Sequence, residues 1–141
     1  MLIIKTLFIV FLFASLTTTL AISSASEGLN IQLQQAVDAN CDGFNDQPYS
    51  RNKPLSILPQ QCLMYKINIK NRSKETLYKL ILKGKIPLNT QFKPKSLLVY
   101  KEDILQHERF VQVIDKENIT IKLTALDSLK QLTLFYAIVI N

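Results

Sequence analysis

The residues best placed to do chemistry lie in one acidic stretch, Asp38-Ala39-Asn40-Cys41-Asp42-Gly43-Phe44-Asn45-Asp46. Asp38, Asn40, Asp42 and Asp46 fall on positions one, three, five and nine of a calcium loop, with Gly43 at the sixth, where the chain must turn sharply. Alternate oxygens around such a turn converge on a point, which is what a hard cation requires. The twelfth position, where a bidentate Glu belongs, is Tyr49. The competing reading is an Asx-rich turn whose carboxylates accept hydrogen bonds from backbone amides. On the first reading calcium is a weakly bound extracellular cofactor; on the second there is none.

Cys41 and Cys62 are the only cysteines. An even count in an exported chain implies a disulfide between them, whereas two free thiols need a reducing compartment. No hydrolase or transferase set can be assembled. His107 is the only histidine and sits in a charged run with Glu102, Asp103, Glu108 and Arg109, which reads as a solvated loop. One His and two paired cysteines are too few for zinc. With Gly28, Gly43 and Gly84 the only glycines, there is no phosphate-cradling loop. The chain reads as a non-enzyme.

The other candidate is a charge imbalance. Between Lys66 and Lys95 stand nine basic residues against one acid, Glu75. Lys66 and Lys70 share the polar side of one strand, and Lys79 or Lys83 extends a stripe across one sheet face if the next strand pairs with it. Such a surface suits anionic envelope polymers, lipid head groups or extracellular DNA. The plainer reading is that lysines keep exposed strands soluble and block edge-to-edge pairing. There is no Trp and few aromatics lie among the lysines, so a stacking platform for nucleic acid is not expected.

The elements that must position these residues follow a leader. Residues 1–25 begin with Lys5, run through an apolar core and end in Ser23-Ser24-Ala25, the pattern of a secretory signal peptide. An uncleaved anchor wants about 20 apolar residues, and Thr17, Thr18 and Thr19 interrupt the run. Cleavage after Ala25 leaves 116 of the 141 residues, one domain over 26–141, and lowers the net charge from +6 to +5.

In the mature part, Leu29, Ile31 and Leu33 alternate with Asn30, Gln32 and Gln34, a half-buried strand. Pro48, Pro54 and Pro59 forbid regular structure over most of 47–59. Residues 62–70 form a strand with Leu63, Tyr65, Ile67 and Ile69 on one face, ending at a polar turn from Asn71. Further strands are expected at 77–82, 96–101, 109–114, 119–123 and 131–140, with 83–85 ending the first of these. Residues 86–92 read as an extended connection, 115–118 as a hairpin turn, and 125–130 as one helical turn. Seven to eight short strands without an ordinary helix imply an antiparallel β-sandwich.

The segments Gln35-Ala36-Val37-Asp38-Ala39-Asn40-Cys41-Asp42-Gly43, Pro59-Gln60-Gln61-Cys62-Leu63-Met64-Tyr65-Lys66-Ile67, Asn71 and Ile86-Pro87-Leu88-Asn89-Thr90 resemble the conserved-repeat domain of bacterial surface proteins, domain-of-unknown-function family eleven. Gln60 stands where that family tends to have Gly, and Lys85 where an acid often precedes Ile-Pro, so the resemblance is to a divergent single copy. It implies an immunoglobulin- or transthyretin-like sandwich and an interaction module that is secreted, periplasmic or on the cell surface. The expected function is a non-catalytic binding or structural module, with anionic envelope polymers or other surface proteins as partners and no membrane span after cleavage. A calcium-stabilised adhesin-type module and a small secreted hydrolase are the alternatives.

Overall fold

β2 (Cys62–Asn71) and β9 (Gln131–Ile140) form the spine of the domain in a computed structural model that describes residues 28–54, 56–106, 110–115 and 117–141. Residues 1–25, expected to be a leader, and His107 and Arg109 lie outside the described residues. Both strands alternate as their sequences require. Leu63, Tyr65, Ile67 and Ile69 of β2 lie opposite Ile138, Tyr136, Leu134 and Leu132 of β9, and this double row faces the core. β1 (Leu29–Asp38) flanks β2, in register from Leu29 opposite Asn71 to Asp38 opposite Cys62.

The far side of β9 is shared by two short strands. β5 (Leu98–Lys101) pairs with its first half and β4 (Thr90–Phe92) with its last three residues. Between them the chain bulges out at 93–97. Ala137 loses nothing there, because Lys93 donates to its carbonyl at 2.9 Å and its amide donates to the Ser96 hydroxyl at 3.0 Å. β6 (Ile104–Leu105) closes this sheet.

The second sheet orders β3 (Leu77–Lys85), β8 (Asn118–Leu126) and β7 (Phe110–Ile114), all antiparallel. Its inward side chains, among them Leu80, Leu82, Ile119, Ile121, Leu123 and Leu126, pack against the double row to form the core. The architecture is the expected all-β antiparallel sandwich, with nine strands among the described residues in place of seven to eight.

The differences have local causes. β3 continues through Lys83-Gly84-Lys85 because Gly84 and Lys85 still pair with Ile119 and Asn118. Residues 125–130 form no helical turn: Ala125 and Leu126 complete β8, and Leu129 reverses the chain with φ +60°. β6 is made by a two-residue hairpin in which Glu102 and Asp103 both take positive φ, a turn usually written with Asn or Gly.

One buried polar residue joins the sheets. Asn71 is fully buried at the end of β2, where the chain leaves for β3. Its Nδ2 lies 2.7 Å from the Glu75 carbonyl and 3.1 Å from those of Leu126 and Asp127, while its Oδ1 accepts from the Ser73 amide and hydroxyl. Two of the four crossings between the sheets, β2 to β3 and β8 to β9, are thereby tied to one side chain. Gly28 abuts the same turn. Its φ is +107°, and a Cβ there would come within 2.9 Å of Ser73 Cβ.

Tyr65 and Tyr136 stack in the core with centroids 4.8 Å apart, and Phe92 lies against Tyr136. Burial pushes the Tyr65 hydroxyl up to about 12, and burial with the Tyr65 neighbour pushes Tyr136 up as well. A raised folded value means that the native state holds these protons more tightly than the unfolded chain does. The associated stability is complete below pH 10, the ordinary tyrosine value, and is lost as pH rises toward 12. In an alkaline titration the last tyrosinate absorbance should therefore appear together with the loss of circular dichroism, and Tyr65→Phe should delay that step. Full tyrosine ionisation at pH 10 with the fold intact would contradict the packing.

Candidate functional site

The acidic loop begins inside the protein. Asp38 ends β1 and is fully buried opposite Cys62. Its Oδ2 accepts from the Gly43 amide at 2.8 Å and its Oδ1 from the Asp42 amide at 3.2 Å. Asp46 accepts from the Ala39 amide at 2.7 Å, and Asp42 from the Phe44 amide at 2.9 Å and the Asn40 amide group at 2.9 Å. The four expected oxygen donors are thus gathered in one loop, where they bond its own N–H groups. The Phe44 amide, followed by the Asn40 side chain, holds the Asp42 carboxyl below its usual range. Among the described residues no three His, Cys, Asp or Glu side chains form a metal-binding group. Gly43, with φ +102°, supplies the turn.

Tyr49, at the twelfth position of the loop pattern, is used in packing. Its ring meets Phe135 edge-on at 5.9 Å, on the outer face of the larger sheet, and Tyr100 meets the same Phe135 at 5.7 Å. Lys66 Nζ lies 5.9 Å from the Tyr49 centroid and 5.8 Å from that of Phe135. This cation is held over two rings, a contact of the order of 1 kcal/mol.

Cys41 and Cys62 are bonded, with Cα atoms 5.1 Å apart across 21 residues of sequence. The bond locks the loop to the first residue of β2. The proline-rich segment behind it is held by a bridge between Gln35 and Ser50, by Ile57 packed on the core and by a bond from the Gln60 amide to the Ile140 carbonyl. A groove of about 540 Å³ lies between this segment and the end of β1, lined by Gln35, Val37, Asp46, Ser50, Lys53 and Gln61 among others.

The structure does not bring the four candidate lysines onto one face. Lys66 and Lys70 are on β2, whereas Lys79 and Lys83 are on β3, which pairs with β8 in the other sheet. The condition for one stripe, β3 pairing with β2, is not met, because the turn held by Asn71 carries the chain across the core. The second sheet has its own basic cluster. Lys79, Lys83, Lys85 and Lys122 are all exposed, and Lys122 lies opposite Ile81, between Lys79 and Lys83 along the neighbouring strand. Sequence reading missed Lys122 because the β3–β8 register is set by tertiary pairing over 40 residues apart. The ion pairs found among the described residues, Lys101–Asp127 and Lys130–Glu102, lie elsewhere.

These features define an antiparallel β-sandwich stapled at one end. Solved structures with this fold include the pilus backbone protein RrgB from Streptococcus pneumoniae, at TM-score 0.55 and 13% identity over 78% of this chain and 46% of that one. Full-length RrgB is similar at TM-score 0.54 and 13% identity, over 78% of this chain and 20% of that one. The chain therefore spans less than half the length of these proteins. No protein-family model and no curated protein matches it.

Opening the 21-residue loop should cost about 3 kcal/mol, a fall of more than about 5 °C in melting temperature for a domain of this size. Cys62→Ser, measured by calorimetry beside the disulfide-bonded wild-type chain, should show it. An equal melting temperature in both would mean that the staple adds nothing beyond the loop's other anchors.

Proposed function

We propose that this chain is an exported, non-catalytic module of a bacterial cell surface, serving a structural or binding role. The observation that carries the reading is the fold, an antiparallel sandwich similar to parts of a pilus backbone protein and corresponding to a fraction of that protein's length. The Cys41–Cys62 bond supports an oxidising destination. The leader-like residues 1–25 support export. The resemblance to the conserved-repeat domain of surface proteins supports the same kind of role. No helix among the described residues is long and apolar enough to cross a membrane.

Export is the decisive step to test. The full chain, expressed in a bacterium with a C-terminal tag, should be recovered outside the cytoplasm, begin at Ser26 by mass spectrometry and contain no free thiol. Recovery from the cytoplasm with residues 1–25 intact and both thiols alkylatable would overturn the reading.

On this reading the basic cluster of the second sheet is the contact for an anionic polymer. Each phosphate or sulfate neutralised there releases counterions, so binding weakens steeply with salt. Lys66 is a poorer contributor because its charge sits over two rings. On a heparin column, Lys83→Gln with Lys122→Gln should elute at lower salt than Lys66→Gln with Lys70→Gln. Equal shifts would mean that net charge alone governs retention.

A further inference from the structure

A β-strand at the edge of a sheet carries a row of unpaired amides and carbonyls, and folded proteins generally guard it. The edges here are guarded unequally. β3 carries Lys79, Lys83 and Lys85. β6 and β4 are only two and three residues long, and β7 is short and bounded in sequence by Arg109 and Asp115. β1 is the exception. Leu29-Asn-Ile-Gln-Leu-Gln-Gln-Ala-Val37 contains no charge and no proline.

Half of the β1 edge is covered. Gln35 exchanges both of its backbone bonds with Ser50, at 2.7 and 2.8 Å, and the Val37 carbonyl accepts from the Asp46 amide. These bonds also fix the phase of the strand. Backbone groups of successive residues alternate between its two sides. Because Gln35 and Val37 point away from β2, Leu29, Ile31 and Leu33 point away from it too. The Gly28 carbonyl, on the opposite phase, accepts from Arg72 on the β2 side, as this alternation demands. Among the described residues nothing pairs with the outer edge from Leu29 to Gln34.

We propose that this open half of β1 pairs antiparallel with the same segment of a second copy of the chain, about a twofold axis at Ile31. The segment is self-complementary in a way that few strands are. With Ile31 opposite itself, Leu29 meets Leu33 of the second copy, and the outward-pointing amides and carbonyls of these residues all find partners. The inner faces continue one another as Leu, Ile and Leu, extending the row that already packs on the core through Leu29 and Ile31. On the outer faces Asn30 meets Gln32 of the second copy, a pair of amides able to bond each other. Such a contact is isologous and closes on itself as a dimer, with no exposed remainder to propagate. The copies carry like net charge, but the strand itself carries none, so added salt should strengthen the pairing by screening. This is the opposite of the salt response expected for polymer binding.

The proposal goes beyond the surface-module reading and does not depend on it. Sedimentation velocity on the mature chain, from about 10 µM to about 500 µM in moderate salt, should show the average mass rising toward that of two copies. Gln32→Lys places two like charges beside the axis and should weaken association by about tenfold or more. Asn30→Lys combined with Gln32→Glu sets a cation opposite an anion across the axis and should restore it. Ile81→Lys on β3 should leave it unchanged. Unaltered melting temperatures would show that each variant is folded. A chain that stays monomeric throughout, whether the edge is bare or covered by residues ahead of Gly28, overturns the proposal. So does a dimer indifferent to Gln32→Lys.

Discussion

The sandwich depends on one side-chain amide. A two-sheet fold must carry its chain across the core at each change of sheet, and the crossing backbone brings polar groups toward an apolar interior. Asn71 takes up three of those carbonyls and, through its own oxygen, the Ser73 amide and hydroxyl. Each group left bare would cost about 1–3 kcal/mol. No other residue type can donate to carbonyls with one end and accept from an amide and a hydroxyl with the other in so little space, except glutamine with a longer stem. An aspartate here would face three carbonyls with a carboxylate. The strand pairing on both sides, β3 with β8 and β2 with β9, follows from the crossing that this bracket holds in place.

Pattern and tertiary contact divided the prediction of this fold cleanly. Period-two alternation marked β2 and β9 and the faces they bury, because a half-buried strand leaves that record in its own residues. The cysteine pair was legible on other grounds, as the only two cysteines of a chain that reads as exported. What alternation cannot record is which strand lies beside which. Lys79 and Lys83 fall on a different sheet from Lys66 and Lys70, and nothing in 72–76 states that the turn crosses the core. The Glu102-Asp103 hairpin escaped notice because neither residue advertises positive φ. β4 is too short to show a period at all.

The acidic loop shows the limit of reading a motif by spacing. Asp38, Asn40, Asp42 and Asp46 do come together, so the convergence read from sequence is real. Their spacing, however, says only that oxygens can be gathered, and a loop amide is as good a hydrogen-bond partner as an ion is a ligand. Position twelve departs from the pattern. Tyr49 is placed for its ring, which covers Phe135 and Lys66 on the sheet's outer face. Burial, and to a lesser degree the Asp38 charge, raise its hydroxyl's pKa.

The strand directions have a mechanical meaning. β1 and β9 both run antiparallel to β2, so Gly28 lies at the Asn71 end of the sheet and Asn141 at the Cys62 end. Tension applied between those two points acts along the strands. It must slide β1 past β2 and β2 past β9, straining both ladders along their whole length at once, where a pull across the strands would part them one bond at a time. The disulfide lies at the Cys62 end, beyond the ten paired positions of β1, so it caps the loop without bearing the load on that ladder. A domain built this way yields late and abruptly under tension.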